Sequence, residues 1–474
     1  MMKKNIVICT AFLLSLASIL AFVLMNIGDS KPNAPDFTEG SSITHVNIES
    51  NQLNKATKSN GVYSTVSVNC ANDIEKFDAY IELQGATSAT YPKKSYKISA
   101  SNGNSFVLKA NYTDFTFFRN IVSTRLWNQI NRYHLALEGK PVLLYVQNDY
   151  RGIYTLNEPK TKDSFFLPSG EEPVAVIGRD QEISETEYTE PIVFGSKGFW
   201  SDIYIKTGEE ERIKESLYEL LRSSTLSDEE FKETVEARAD KESLIDYLLF
   251  TQYIQALDNG TKNTIWVTYD GVRWYIVPYD LDATYGLQWD GKSIVESQRM
   301  LPHYSNDRFE SNMGLFWTKF FNVFQASIIE RYWELRDNKI LSPENIRKLF
   351  EEYESAIPEE VYGSEIEMWP KIPSAGLTGL EQISDFLEKR TSHLDKLFSR
   401  ENTLTGEEWN SYVAELEDKE IFASQEEESN SLERMITRAI LWGPLAVFAT
   451  IAASLGIREL CLDKRYYKSN GKES

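Results

Sequence analysis

The chain has 474 residues, with 71 Asp and Glu against 50 Lys and Arg, a formal charge of −21 and an isoelectric point near 4.8. That length exceeds one average domain and suffices for a sizeable core. The acidity argues against a nucleic-acid backbone as the main partner, because phosphate binding needs clustered Lys and Arg; a basic partner or plain solubility fits better.

In chain order, Lys3 and Lys4 precede a charge-free apolar run, Asn5 to Ile27, long enough at ~1.5 Å per residue to cross a bilayer as a helix. No convincing small-residue cleavage site follows it, so residues 1–27 read as an uncleaved membrane anchor in preference to a cleaved signal peptide. Residues 28–44, rich in Pro, Gly and Ser, are a linker. Residues 45–160 alternate short β-like runs ("AYIEL", "KSYKISA", "SFVLKA", "PVLLYVQ", "GIYTLNE") with turn signals, interrupted by one helical pattern, "FRNIVSTRLWNQINRY". From 161 to 400 helical patterns dominate. A β-rich lobe followed by an α-rich lobe predicts a two-lobed α+β fold.

Residues 401–435 are strongly acidic and read as a solvated stalk or helix. A second apolar segment, 436–457, contains Pro444, which a membrane helix tolerates better than a soluble one. The tail 458–474 carries Arg458, Lys464, Arg465, Lys468 and Lys472. With positive residues beyond both apolar segments, both termini are expected in the cytoplasm and the main domain outside it. Of three cysteines only Cys70 falls in that domain, so it holds no disulfide framework.

Within the helical half, "SLIDYLLFTQYIQAL" places Ile245, Leu248, Leu249, Tyr253, Ala256 and Leu257 on one face, and Gly260 can end the helix in the left-handed conformation. Asp258 then sits on the last turn or just past it, at the wrong end of the helix dipole. The hairpin "NTIWVTYDGVRWYIVPYDLDATYG" follows. With Asp270 and Gly271 central to a type I′ turn, Asn263 opposes Pro278, and Asp280 shares the face of Asn263. Asp258, Asn263 and Asp280 therefore converge, with Asp282 in reserve, as a hard-oxygen set suited to Mg²⁺ or Mn²⁺ with substrate phosphates completing the shell. The four histidines show no paired metal-ligand spacing, which disfavours zinc. The competing explanation is that these residues are Asx caps and turn residues at strand ends.

Asp-x-x-x-x-Asn, a hairpin and a second Asp is the order found in protein-kinase active sites, where an early-strand lysine also grips the nucleotide phosphates. "GATSATYPKKSYKISA" offers Lys93 and Lys94 after a small-residue loop, Gly85 to Thr90, and Lys94, Tyr96 and Ile98 share a face. An edge strand protected by lysines explains this stretch equally well.

Taken together these segments resemble the CotH kinase family, named for spore coat protein H. The resemblance rests on "GATSATYPKKSYKI", "DFTFFRNIVSTRLW", "YRGIYTLNE", "LDNGTKNTIW", "RWYIVPYDLDATYG" and "ISDFLEKRTSHLDKLF", and covers roughly Asp78 to Phe398. It implies an atypical protein-kinase-like fold that binds ATP and Mg²⁺ and phosphorylates serine on a protein partner. By position Asp258 is then the catalytic aspartate and Asn263 and Asp280, with Asp282, the metal ligands. Lys94 or Lys93, with Gly85 and Ser88 of the loop, holds the nucleotide, and Glu158 lies where the lobes join. Gln84, Ala86 and Thr87 depart from the Arg, Asn and Ser usual in that loop. An extracytoplasmic location, where ATP is scarce, leaves open a cell-surface or envelope-assembly module whose nucleotide site is vestigial. A metal-dependent hydrolase is a third reading, but gives no account of Lys94. The acidic body suits a Lys- and Arg-rich partner.

Overall fold

The structure, a computed structural model, describes residues 43–70, 73–85, 87–167, 174–179, 201–205, 210–259, 263–301, 312–404, 406, 408–421 and 423. Both apolar segments and the basic tail lie outside these residues; among the described residues no helix is long and apolar enough to cross a membrane. The chain divides into two compact units, 1–410 and 411–474. In the second, residues 411–421 are helical.

The first unit opens with seven strands: β1 (Thr44–Glu49), β2 (Val62–Cys70), β3 (Asp73–Gln84), β4 (Ser95–Ala100), β5 (Phe106–Lys109), β6 (Gly139–Val146) and β7 (Asp149–Asn157). They form a closed barrel in the order β1-β2-β3-β4-β5-β7-β6, with β6 closing on β1 in parallel and every other pair antiparallel. Period-two alternation points Val46, Ile48, Val66, Ile81, Ile98, Leu108, Val142 and Leu144 into one core. Closure leaves no edge at β4, which pairs with both β3 and β5, so its lysines are not edge guards.

Helix α1 (Arg119–Ile130) follows β5 and packs against β6. It has no side-chain cap at Phe118; instead the Asp114 carboxylate accepts from the Arg119 N–H at 3.1 Å. The half expected to be helical also contains an antiparallel sheet of β8 (Ala175–Arg179), β9 (Ser201–Ile205), β10 (Thr264–Thr268) and β11 (Trp274–Pro278), ordered β11-β10-β8-β9. The same half holds α2 (Glu210–Arg222), α3 (Asp228–Arg238), α4 (Lys241–Tyr253), which packs on β11, α5 (Asn312–Asp337), α6 (Pro343–Ser355), α7 (Glu359–Met368), which packs on barrel strand β7, and α8 (Leu380–Leu397). Local chemistry fixes their starts: Ser227 and Glu230 form a capping box for α3, Asp240 caps α4, and Ser342 with Pro343 opens α6. Helix α4 was expected to bury one face; every residue from Ser243 to Tyr253 is buried, because neighbours surround it.

The acidic stretch expected to be a stalk from residue 401 begins inside the first unit. Trp409 is buried and stacks on Phe321 at 4.5 Å between ring centroids, because an indole in an acidic segment still gains more from the core than from water.

Two buried cations fasten the barrel to the helices. Arg119 donates to the Asp114 carboxylate at 3.1 Å, the carbonyl of Thr284 at 2.6 Å and Gln382 Oε1 at 2.7 Å. Lys93 donates to Glu365 Oε2 at 3.0 Å and to the Ile153 carbonyl at 2.6 Å, while the other Glu365 oxygen accepts from the Ile153 N–H. The approach needs Gly152, at φ +110°, where a Cβ would lie 2.1 Å from Glu365 Oε1. Burial pushes the Lys93 pKa down and the Glu365 pKa up, and each charge offsets the other's penalty. Lys93→Met strands the Glu365 charge and should cost about 3–5 kcal/mol in denaturant unfolding. The same change at its neighbour, Lys94→Met, should cost less than about 1 kcal/mol. Equal losses at both positions would show that the buried pair is not the anchor.

Candidate functional site

The aspartates are brought together by loops, not by the helix and strand geometry expected from the sequence. Helix α4 stops at Tyr253, short of Leu257, and the left-handed residue is Gln255, at φ +49°. Gly260, expected to fill that role, lies outside the described residues. The chain leaves the helix because better partners await it. Gln255 Nε2 donates to the carbonyls of Glu296 at 2.9 Å and Arg299 at 2.8 Å, the Ile254 carbonyl accepts from the Tyr285 N–H at 2.6 Å, and Leu257 N–H donates to the Ala283 carbonyl at 3.3 Å. Asp258 is therefore a partly buried loop residue, and the helix dipole does not oppose it.

The hairpin register is also one residue away from expectation. Thr264 pairs with Pro278 and Thr268 with Trp274, which leaves residues 269–273 as a loop instead of a two-residue turn. A type I′ turn needs positive φ at both central residues; Gly271 has it, at +72°, and Asp270 does not. Asp270 accepts from the N–H groups of Val272 and Arg273, both at 2.8 Å, and this Asx turn takes the place of the tight one.

Asn263 consequently opposes Tyr279, whose N–H reaches its carbonyl at 3.0 Å, and strand alternation alone would put Asp280 on the other face from Asn263. Both Asn263 (φ +55°) and Asp280 (φ +58°) break from strand geometry at this point. Buried Asn259 clamps the open end: its Nδ2 donates to the carbonyls of Asn263 at 3.1 Å and Tyr279 at 2.8 Å, and its own carbonyl accepts from the Tyr247 hydroxyl at 2.7 Å.

Asp280 meets a lysine, and it is neither of those expected. Lys109, the last residue of β5, donates to Asp280 Oδ1 at 2.7 Å and lies 3.5 Å from Asn120 Oδ1 and 4.7 Å from the centroid of the Tyr279 ring. Burial pushes its pKa down, but Asp280, Tyr279 and Asp282 outweigh that and hold the ammonium above its usual range. Asn120 Oδ1 also accepts from the Leu281 N–H at 2.9 Å, so the first turn of α1 holds the aspartate segment.

Asp282 is pushed up to about 8, first by desolvation, then by the charges of Asp280, Asp258 and Asp114, with Lys109 acting in the opposite sense. Asp258, Asp280 and Asp282 are thus within electrostatic reach of one another. Asn263 is half-buried.

The remaining expectations divide. Lys93 is structural, as described above. Lys94 donates to the Ala89 carbonyl at 2.8 Å and lies on the barrel-lumen side with Tyr96 and Ile98, the opposite face from Lys109. Gly85, at φ +100°, turns the chain so tightly that a Cβ would fall 1.8 Å from Ser88 Oγ; Ser88 lies in the single 3₁₀ turn, Thr87–Thr90, that follows. This loop does reach the site through Tyr91, whose hydroxyl pKa is raised by burial and then by Asp282 and Asp290. Glu158 is exposed at the end of β7 and its carboxylate accepts from the Glu138 N–H at 2.9 Å, closing the join with β6.

Lys109, Asn120, Asn259 and Tyr91 escaped the sequence reading. The signal for Lys109 was present: "FVLK" alternates Phe106 and Leu108 inward with Val107 and Lys109 outward, directly before the segment leading to α1.

Among the described residues no group of three or more His, Cys, Asp or Glu could hold a metal ion by itself. One of the carboxylates, Asp280, is engaged by Lys109. The oxygens nevertheless fit a hard divalent cation chemically, because such a charge offsets both the desolvation and the neighbouring negative charge that raise Asp282.

The raised pKa of Asp282 has a measurable sign. Its neutral form contributes stability that is fully present below the ordinary carboxylate range near pH 4 and is lost as pH rises through about 8. Asp282→Asn, neutral throughout, should melt above wild type by a margin that widens from about pH 5 to about pH 9 in chelator. Parallel melting curves across that range would remove Asp282 from the carboxylate cluster.

The sequence model for CotH kinase protein matches residues 81–394, from within β3 to within α8, and the match spans Gly85, Lys109, Asp258, Asn263, Asp280 and Asp282. A comparison with curated proteins gave no match. With most of its length covered by that one match, the chain belongs to the CotH kinase family.

Proposed function

We propose that this protein is an atypical protein kinase that transfers the γ-phosphate of ATP to serine on a protein partner in a Mg²⁺-dependent reaction. The observation that carries the reading is the Lys109–Asp280 ion pair at 2.7 Å, set beside Asp258 and Asp282 where the barrel meets the helical half. The order of parts supports it. A glycine loop between β3 and β4, a lysine ending β5, the helix α1, a join at Glu158, then Asp258, Asn263 and Asp280 repeats the protein-kinase order.

One departure is informative. Protein kinases pair the strand lysine with a glutamate on the following helix. Helix α1, "RNIVSTRLWNQI", has no acidic residue; Asn120 stands near the lysine, and Asp280 takes the ion pair.

In this reading Asp258 accepts the serine hydroxyl proton as Oγ attacks the γ-phosphorus and the bond to the ADP oxygen breaks. Lys109 holds phosphate oxygens, and Asn263, Asp280 and Asp282 hold the metal. Bound Mg²⁺ supplies neutralisation of the phosphate charge. Gly85 and Ser88 shape the loop beside the nucleotide, and Lys94, bonded to the Ala89 carbonyl, takes no part in phosphate transfer. The segments 5–27 and 436–457 anchor the protein to a bilayer, and the charge of −21 favours a basic, Ser-rich partner.

The test uses purified full-length protein, with melting temperature and phosphate transfer measured in ATP and Mg²⁺. Wild type should be stabilised by the ligand and should phosphorylate itself or a basic Ser-rich peptide. Lys109→Ala, Asp258→Ala and Asp280→Ala should each lower transfer by about 100-fold or more, while Lys94→Ala stays within about threefold. Transfer lost in Lys94→Ala and kept in Lys109→Ala would reverse the lysine assignment. No binding and no transfer in wild type would favour the envelope-assembly reading, with a vestigial site.

A further inference from the structure

The barrel has a second face. Outward residues of β5 meet the aspartates, whereas inward residues surround a lumen that opens at the end where β1, β3 and β6 finish and β4 and β7 begin. A cavity of about 480 Å³ occupies this mouth, a volume in the range of small-ligand sites. Its floor is apolar, with Leu53, Leu144 and Val146, and its walls carry the rings of Tyr96, Tyr154 and Trp369.

Two cations face it, Lys94 and Arg151, and among the described residues no carboxylate lines it. In a chain of net charge −21 that selection of charge is specific to the cavity. Lys94 spends one N–H on the Ala89 carbonyl, at 2.8 Å, and keeps the others. Arg151 is exposed and pairs with Asp149 at 3.8 Å, a solvent-screened ion pair that a ligand carboxylate can replace at little cost. Arg151 lines the cavity together with Tyr96 and Tyr154.

We propose that the barrel mouth binds a small organic acid, its carboxylate held between Lys94 and Arg151 and its apolar body on the lumen floor. Burial of the body supplies affinity, and the Arg–Lys pair selects the anion, with the planar guanidinium suited to a two-point contact. The site lies on the other face of the strands from Lys109 and Asp280, so it is separate from the proposed nucleotide site and does not depend on that assignment.

Calorimetric titration of the full-length protein with 2-naphthoate and with octanoate tests this. At least one should bind with a Kd below about 1 mM, the tighter of the two showing whether the body is aromatic or aliphatic. The neutral amide of the tighter ligand should bind at least about 10-fold more weakly, as should the acid itself to Arg151→Ala and to Lys94→Gln. Saturating ATP and Mg²⁺ should leave the affinity unchanged. Arg151→Lys, which keeps the charge, should retain most of the binding and serves where Arg151→Ala lowers the melting temperature. No binding of either acid at about 5 mM, equal affinity for acid and amide, indifference to both substitutions, or displacement by ATP would each overturn the proposal.

Discussion

The charge balance between Lys109 and the three aspartates holds the functional half of this structure together. Asp258, Asp280 and Asp282 arrive from two loops that no regular hydrogen-bond ladder constrains, and desolvation, joined by the charges of Asp280 and Asp258, raises Asp282 far from its ordinary range. The Lys109 ammonium, 2.7 Å from Asp280, also lowers the cost of charge on Asp282 and ties β5 to the segment after β11. Asn120 reinforces the tie by accepting from the Leu281 backbone, and Asn259 by spanning the carbonyls of Asn263 and Tyr279. A cluster of like charges is costly without a counter-charge, so its persistence here agrees with a site built to receive cationic partners.

The barrel can deliver Lys109 accurately because its own position is fixed by buried ions elsewhere. Lys93 on Glu365 and Arg119 on Asp114 and Thr284 are buried contacts, extended by the part-buried bond of Arg119 to Gln382, and their partners sit on different elements. Such contacts add little net stability over apolar packing but tolerate only one geometry. The adjacent lysines 93 and 94, just before β4, divide roles: Lys93 pairs with Glu365 as a structural ion, and Lys94 lines the cavity at the barrel mouth.

Much of this was legible in the residues. The β-rich first half, the helical second half, the hairpin around Asp270 and the aspartates as a group all follow from periodicity and turn chemistry, which are local properties. The family resemblance, read on motifs from Asp78 to Phe398, agrees with the match over 81–394. The errors share one cause. The end of α4, the hairpin register and the choice of lysine were each inferred from local preference. In each case a distant partner won: Glu296 and Arg299 for Gln255, Asn259 for the strand ends, Glu365 for Lys93.

Local pattern specifies which segments alternate with period two, that a hairpin turns near Asp270, and that several aspartates follow a buried helix, because these depend on neighbours within a few residues. Only the tertiary structure decided that the strands close into a barrel, that Lys109 and not Lys94 meets Asp280, and that Asp258 stands on a loop. Those outcomes depend on pairings separated by 171 residues in the case of Lys109 and Asp280, and no local preference encodes a contact of that span.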